Sequence, residues 1–268
     1  MIFFIRLRVL IRLIKQRKLK NVWCIYLCLS TANTVEDYIY LHYGCVCRIK
    51  FVILLFEIKE RMLEVNNISI RFGDEQVVQN FSCRVEKGGL ACLVGRSGCG
   101  KTSLLKSLIG LTPYCGGGIK IAGASLNEST CAYVRKITAY LPQELVFPND
   151  DVMDIVYQTF RIGGVKNLRL SIPLLHQNLS RLGLEPELLD KRMAEISGGQ
   201  RQRLMIAVLG MLDKQIWLLD EPTAALDEKS RDLVIKFLLD ARCEGKTIVA
   251  VSHDPVFASR CSTIIQLD

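Results

Sequence analysis

The chain has 268 residues, half of them apolar and 23% charged, which suits a globular protein with a well-buried core. Its formal charge of +8 is unevenly spread: residues 1–61 carry 11 Lys/Arg against 4 Asp/Glu, and residues 62–268 carry 24 against 23. A domain that grips a nucleic-acid backbone shows a basic footprint, so the balanced larger part argues against nucleic acid as a partner. Eleven cysteines, an odd number without regular spacing, fit reduced thiols better than a disulfide framework.

In residues 1–20, Arg6, Arg8, Arg12, Lys15, Arg17, Lys18 and Lys20 interleave with apolar side chains. The apolar runs at 22–29 and 51–56 fall far short of the ~20 residues that a membrane-spanning helix needs. A basic membrane-surface helix, a signal peptide and a non-native extension are the readings open here. Cys24, Cys28, His42, Cys45 and Cys47 match no standard zinc spacing. Met62 opens what looks like a complete domain, which makes 1–61 an N-terminal extension, disordered or outside the native chain, and 62–268 the working unit.

Residues 63–72 and 79–85 alternate apolar and polar side chains, as half-buried antiparallel strands do. Residues 90–94 are a continuous apolar run ending in glycine, the pattern of a buried strand. The segment 101–111 places Leu104, Leu105, Leu108 and Ile109 on one face of a helix. A strand at 137–141 follows, then a polar helical region over 151–195 broken at Gly163, Gly164, Pro173 and Pro186. A helix at 201–212 precedes short apolar strands at 216–219, 247–251 and 263–267, separated by helical stretches. Strand–helix alternation predicts a parallel sheet whose ligands lie beyond the carboxyl ends of its strands.

Gly95-Arg96-Ser97-Gly98-Cys99-Gly100-Lys101-Thr102-Ser103 fits the phosphate loop G-x-x-x-x-G-K-[ST], directly after a predicted strand and opening a helix. Gly95, Gly98 and Gly100 let backbone N–H groups converge on a polyphosphate at a helix N-terminus. In such a loop Lys101 reaches the β- and γ-phosphates and Thr102 ligates Mg²⁺. The strand at 216–219 then delivers Asp220 for the metal shell and Glu221 to accept a proton from attacking water.

Ser197-Gly198-Gly199-Gln200, followed by Arg201-Gln202-Arg203, resembles the signature of the ATP-binding cassette (ABC) ATPases, and with the motif order the resemblance covers nearly all of 62–268. It implies an α/β fold: a P-loop NTPase core with a mainly parallel sheet, an N-terminal antiparallel β subdomain and a small helical signature subdomain at about 144–210. It also implies an ATP-hydrolysing subunit in which two cassettes pair head to tail, so that Ser197, Gly198, Gly199 and Gln200 of one close on the nucleotide held by the other. Gln143 is similar to the glutamine that senses Mg²⁺ and the attacking water. Ala225-Leu226-Asp227 resembles the loop that crosses the dimer interface. His253 resembles the switch histidine at the γ-phosphate, and Phe72 occupies the place of the aromatic that stacks on adenine. One departure is "LMIAVLGMLDKQ" where family members commonly carry Ala-Arg-Ala. The expected partners are a second cassette, as a homodimer, and a separate membrane permease. They would hold the chain in the cytoplasm, peripheral to the inner face of the membrane. The alternative is a soluble single-cassette ABC ATPase, such as an iron–sulfur cluster assembly factor.

Overall fold

The computed structural model describes residues 25–26, 40–41, 60–145, 147, 150–162, 170–224 and 226–267. The chain divides into two compact units, Met1–Ile58 and Lys59–Asp268. In the first, β1 (Ile25–Tyr26) pairs antiparallel with β2 (Tyr40–Leu41). The basic stretch 1–20, the apolar run 51–56 and the group Cys24, Cys28, His42, Cys45 and Cys47 lie outside the described residues.

The second unit opens with β3 (Arg61–Phe72) and β4 (Glu75–Glu86), an antiparallel pair. Then come β5 (Leu90–Val94), α1 (Lys101–Leu108), β6 (Gly118–Ile121), β7 (Ala124–Ser125), α2 (Glu128–Ile137) and β8 (Thr138–Leu141). Helices α3 (Val152–Ile162) and α4 (Ile172–Arg181), two 3-10 turns and α5 (Gly198–Leu209) form the helical region. The chain closes with β9 (Ile216–Asp220), α6 (Glu228–Cys243), β10 (Thr247–Val251), α7 (Pro255–Arg260) and β11 (Thr263–Gln266). The five-stranded sheet runs β11-β5-β10-β9-β8 with every neighbouring pair parallel, and the antiparallel sheet runs β4-β3-β6-β7. Among the described residues no helix is long and apolar enough to cross a membrane.

Both faces of the parallel sheet are covered, which is why its strands are continuous apolar runs. On β9, Trp217 and Leu219 join a core with Leu179, Leu204 and Phe257 from the helices. Ile216 and Leu218 face the opposite way, into a core with Leu105 of α1 and Ile68 and Ile70 of β3.

Several element boundaries differ from the sequence expectation. Helix α1 stops at Leu108 rather than 111 because Gly110, at φ 66°, ends it in a Schellman motif: Leu111 N–H donates to the Lys106 carbonyl at 2.9 Å and Gly110 N–H to Ser107 at 3.0 Å. Pro173 does not break a helix but opens one, in the first turn of α4 behind the Ser171 cap, where a missing N–H costs nothing. Gly163 and Gly164 lie outside the described residues. Helix α5 begins at Gly198, not 201, because Ser197 caps it. The hairpin β6–β7 was not anticipated. Its two-residue turn, Ala122-Gly123, has φ 48° and 79°, as a type I′ turn requires.

Candidate functional site

A cleft of about 560 Å³ lies where β5, β9 and β10 end, bringing together Ser97, Gly98, Gly100, Lys101, Thr102, Ser103, Gln143, Asp220, Glu221 and His253. Gly95, Arg96 and Cys99 belong to the same loop without lining the cleft wall. Two neighbours shape the loop. A Cβ on Gly95 would collide with the Leu267 carbonyl oxygen just past β11, and one on Gly100 would sit 2.6 Å from Val77 Cγ1 of β4. Gly98 and Gly100, at φ 81° and 94°, turn the chain through the left-handed region that glycine tolerates. Gly100 is the N-cap of α1 and carries no capping side chain, so the first-turn amides of α1 face the loop's own hollow. Lys101 is 6% exposed, and its ammonium donates to the carbonyls of Gly95 (3.0 Å) and Arg96 (2.7 Å).

Asp220 ends β9 at 1% exposure, and neither carboxylate oxygen has a hydrogen-bond partner among the described residues. Burial pushes its pKa above the ordinary carboxylate range, against the pull of the nearby Thr102 hydroxyl and the Lys106 and Lys101 ammoniums. Tyr140 of β8 pairs in register with Leu218, two residues before Asp220, so both side chains rise from one face of the sheet. Burial, with the Asp220 charge second, pushes the Tyr140 phenol up to about 12.

Glu221 is the first residue past β9 and has φ 53°, a left-handed backbone that a residue with a side chain adopts only when its surroundings hold it. Its N–H donates to the Val251 carbonyl at 2.9 Å, and its carbonyl accepts from Ala224 N–H at 3.2 Å. The carboxylate accepts from the His253 backbone N–H (3.3 Å), and His253 Nε2 lies 3.6 Å from Oε1. Burial raises the Glu221 pKa, opposed chiefly by that His253 N–H.

The chemistry of the cleft divides in two. Loop amides, a helix N-terminus and a buried ammonium suit a polyphosphate. A buried carboxylate with both oxygens unpartnered, beside a threonine hydroxyl, is an all-oxygen donor set of the kind that hard divalent cations take.

Other expected residues stand apart from this wall. Ser197, Gly198, Gly199 and Gln200 sit at the start of α5 and do not line the cleft. Ser197 Oγ accepts from Gln200 N–H at 3.2 Å, and Gln200 Oε1 accepts from Ser197 N–H at 2.9 Å, a reciprocal capping box. Phe72, at the end of β3, is 51% exposed, so its ring is not a core residue. Ala225 lies outside the described residues, while Asp227 caps α6 and accepts from Ser230 N–H at 2.9 Å. Val77, Thr223 and Asp254 line the cleft without having been singled out in the sequence. Thr223 and Asp254 follow Glu221 and His253 closely enough for chain adjacency to have flagged them. Val77 carries no such signal, because only the return of β4 beneath the loop brings it there.

A phosphate-binding loop and a buried acid pair at the carboxyl ends of a parallel sheet define the class of P-loop nucleotide-binding proteins. The ABC transporter family profile matches residues 78–224. The chain belongs to that family, as an ATP-binding subunit. It is 33% identical over 195 residues to the taurine import ATP-binding protein TauB of Escherichia coli O157:H7, covering 72% of this chain and 74% of TauB. A Treponema denticola protein described as an ABC transporter ATP-binding protein is 32% identical over 218 residues, covering 77% of this chain. The chain matches only 44% of the length of that protein. A dimeric bacterial ABC transporter cassette, MJ0796, shares the fold with a TM-score of 0.69 at 24% identity, covering 77% of this chain and 94% of that one.

Proposed function

We propose that residues 62–268 form one ATP-binding cassette, with a helical subdomain at about 144–210, that binds and hydrolyses ATP and powers a separate membrane permease. The observation that carries this is the meeting of Lys101, Thr102, Asp220 and Glu221 in one cleft, while Ser197 and Gln200 lie off its wall. The polyphosphate rests on the loop from Gly95 to Ser103, and Lys101 exchanges its loop carbonyls for phosphate oxygens. Thr102, Asp220 and Gln143 would hold Mg²⁺, which would neutralise phosphate charge when bound. Glu221 accepts the proton of the attacking water, and His253 turns from its carboxylate toward the γ-phosphate. Phe72, free of the core, stacks on adenine.

Ser197, Gly198, Gly199 and Gln200 act on the nucleotide of a second copy paired head to tail. The permease then holds both cassettes at the cytoplasmic face of the membrane. TauB is an import ATP-binding protein by name and MJ0796 is dimeric, and both support this reading.

Replacing Glu221 by Gln keeps the shape and removes the base. Glu221→Gln is therefore expected to lower turnover by ~10²–10⁴, roughly 3–5 kcal/mol of barrier, while ATP affinity measured with a fluorescent analogue stays within a few-fold. Lys101→Ala should lose the affinity itself. Wild-type turnover in Glu221→Gln would remove Glu221 from this role.

A further inference from the structure

We propose that Gln202 is a positioning residue that ties the signature end of α5 to Glu221 of the same chain. The proposal rests on Glu221 being the base, as argued above. Gln202 is 6% exposed, the one polar residue among the buried positions of α5, where Leu204, Ile206, Ala207, Val208 and Leu209 are all apolar. A buried amide is unfavourable unless it is hydrogen-bonded, and an apolar side chain of similar size would pack there at lower cost. Its Nε2 donates to the Glu221 carbonyl at 3.5 Å.

That carbonyl belongs to the left-handed residue whose carboxylate faces His253. Val251 fixes the N–H side of Glu221, whereas among the described residues its carbonyl is held by Gln202 and by Ala224, three residues along the same turn. The next residue of α5 anchors the opposite way: Arg203 donates to the carbonyls of Leu182 (2.9 Å) and Gly183 (3.0 Å) in the helical region. The first two turns of α5 thus carry the signature cap, the anchor to the helical region and the contact with Glu221. The contact is long, at the outer limit of a hydrogen bond, so a displacement of a few tenths of an ångström makes or breaks it. Docking of Ser197 on a second cassette would displace α5, and Gln202 would pass that displacement to the Glu221 peptide.

Gln202→Met keeps the length and removes the donor, and Gln202→Glu keeps the shape and sets an acceptor against the carbonyl. Both are measured for kcat, KM, ATP-analogue affinity and Tm, alone and combined with Glu221→Gln under single-turnover conditions. The expected result is a kcat lower by ~5–10-fold, the size of one lost hydrogen bond in the transition state, with KM and affinity unchanged in both variants and Tm unchanged in Gln202→Met. In the Glu221→Gln background neither substitution should lower the residual rate further, since a residue acting through Glu221 has nothing left to position. Wild-type kcat in both variants overturns the proposal. So does a loss that repeats in full in the Glu221→Gln background, or one that tracks a fall in Tm in Gln202→Met. Full turnover by Glu221→Gln alone is a different failure, that of the base assignment on which the proposal stands.

Discussion

Helices α1 and α5 both start after a glycine-rich or serine-glycine turn, and they treat their N-termini in opposite ways. Helix α1 begins behind Gly100, which offers no capping side chain, and its first residue, Lys101, is turned onto the loop. Helix α5 begins behind Ser197, whose hydroxyl is already engaged with Gln200 in a closed box. An uncapped N-terminus inside a rigid loop is a ready anion site, whereas a capped one is locally satisfied. In the proposed function, one chain assembles the phosphate-holding half of a site by itself. The signature half, capped and off the cleft, would then act against another surface.

If that contrast is right, the two ends should respond differently to the smallest change. Gly95→Ala is the larger perturbation, because the new methyl meets backbone at Leu267 and the Cys99 sulfur at 2.8 Å. Overpacking of this kind costs about 1–3 kcal/mol, a Tm drop on the order of 2–12 °C for a domain this size, and nucleotide affinity should fall with it. A thermal melt with and without ATP would show both. An unshifted melt would mean that β11 does not clamp the loop.

Ser197→Ala is the smaller one. It removes a cap on an exposed helix end and should cost ~1 kcal/mol, without changing the nucleotide affinity of an isolated chain. A matching loss of affinity would place the signature inside the cleft of its own chain, against the geometry described here.

How much was legible in the sequence divides along the same line. The loop from Gly95 to Ser103, the Asp220-Glu221 pair and His253 follow apolar runs, so local pattern alone put them at the ends of parallel strands. The helix at 101–111 was overrun because Ile109 and Leu111 continue the apolar face, and only the left-handed Gly110 stops it. In the sequence Pro173 reads as a break because proline inside a helix and proline opening one are the same letter, and the Ser171 cap decides between them. The β6–β7 hairpin stayed hidden because its turn puts Ala122, not Asn or Asp, at a positive φ. The left-handed backbone of Glu221 and its contact with Gln202, 19 residues away in the chain, are tertiary features that no local spacing encodes.

The central claim is that one chain completes the nucleotide-holding half of the site and needs a second chain for the other half. The most direct measurement is the mass in solution of Glu221→Gln with saturating MgATP, by light scattering behind size-exclusion chromatography, beside the same protein carrying Gly199→Arg. Glu221→Gln should elute at the mass of two chains with MgATP and of one chain without it. With Gly199→Arg added, the protein should still bind ATP and remain a single chain, because the new side chain blocks the signature from a second nucleotide. Single-chain mass for Glu221→Gln at saturating MgATP, or equal dimerisation by the Gly199→Arg form, would contradict the account.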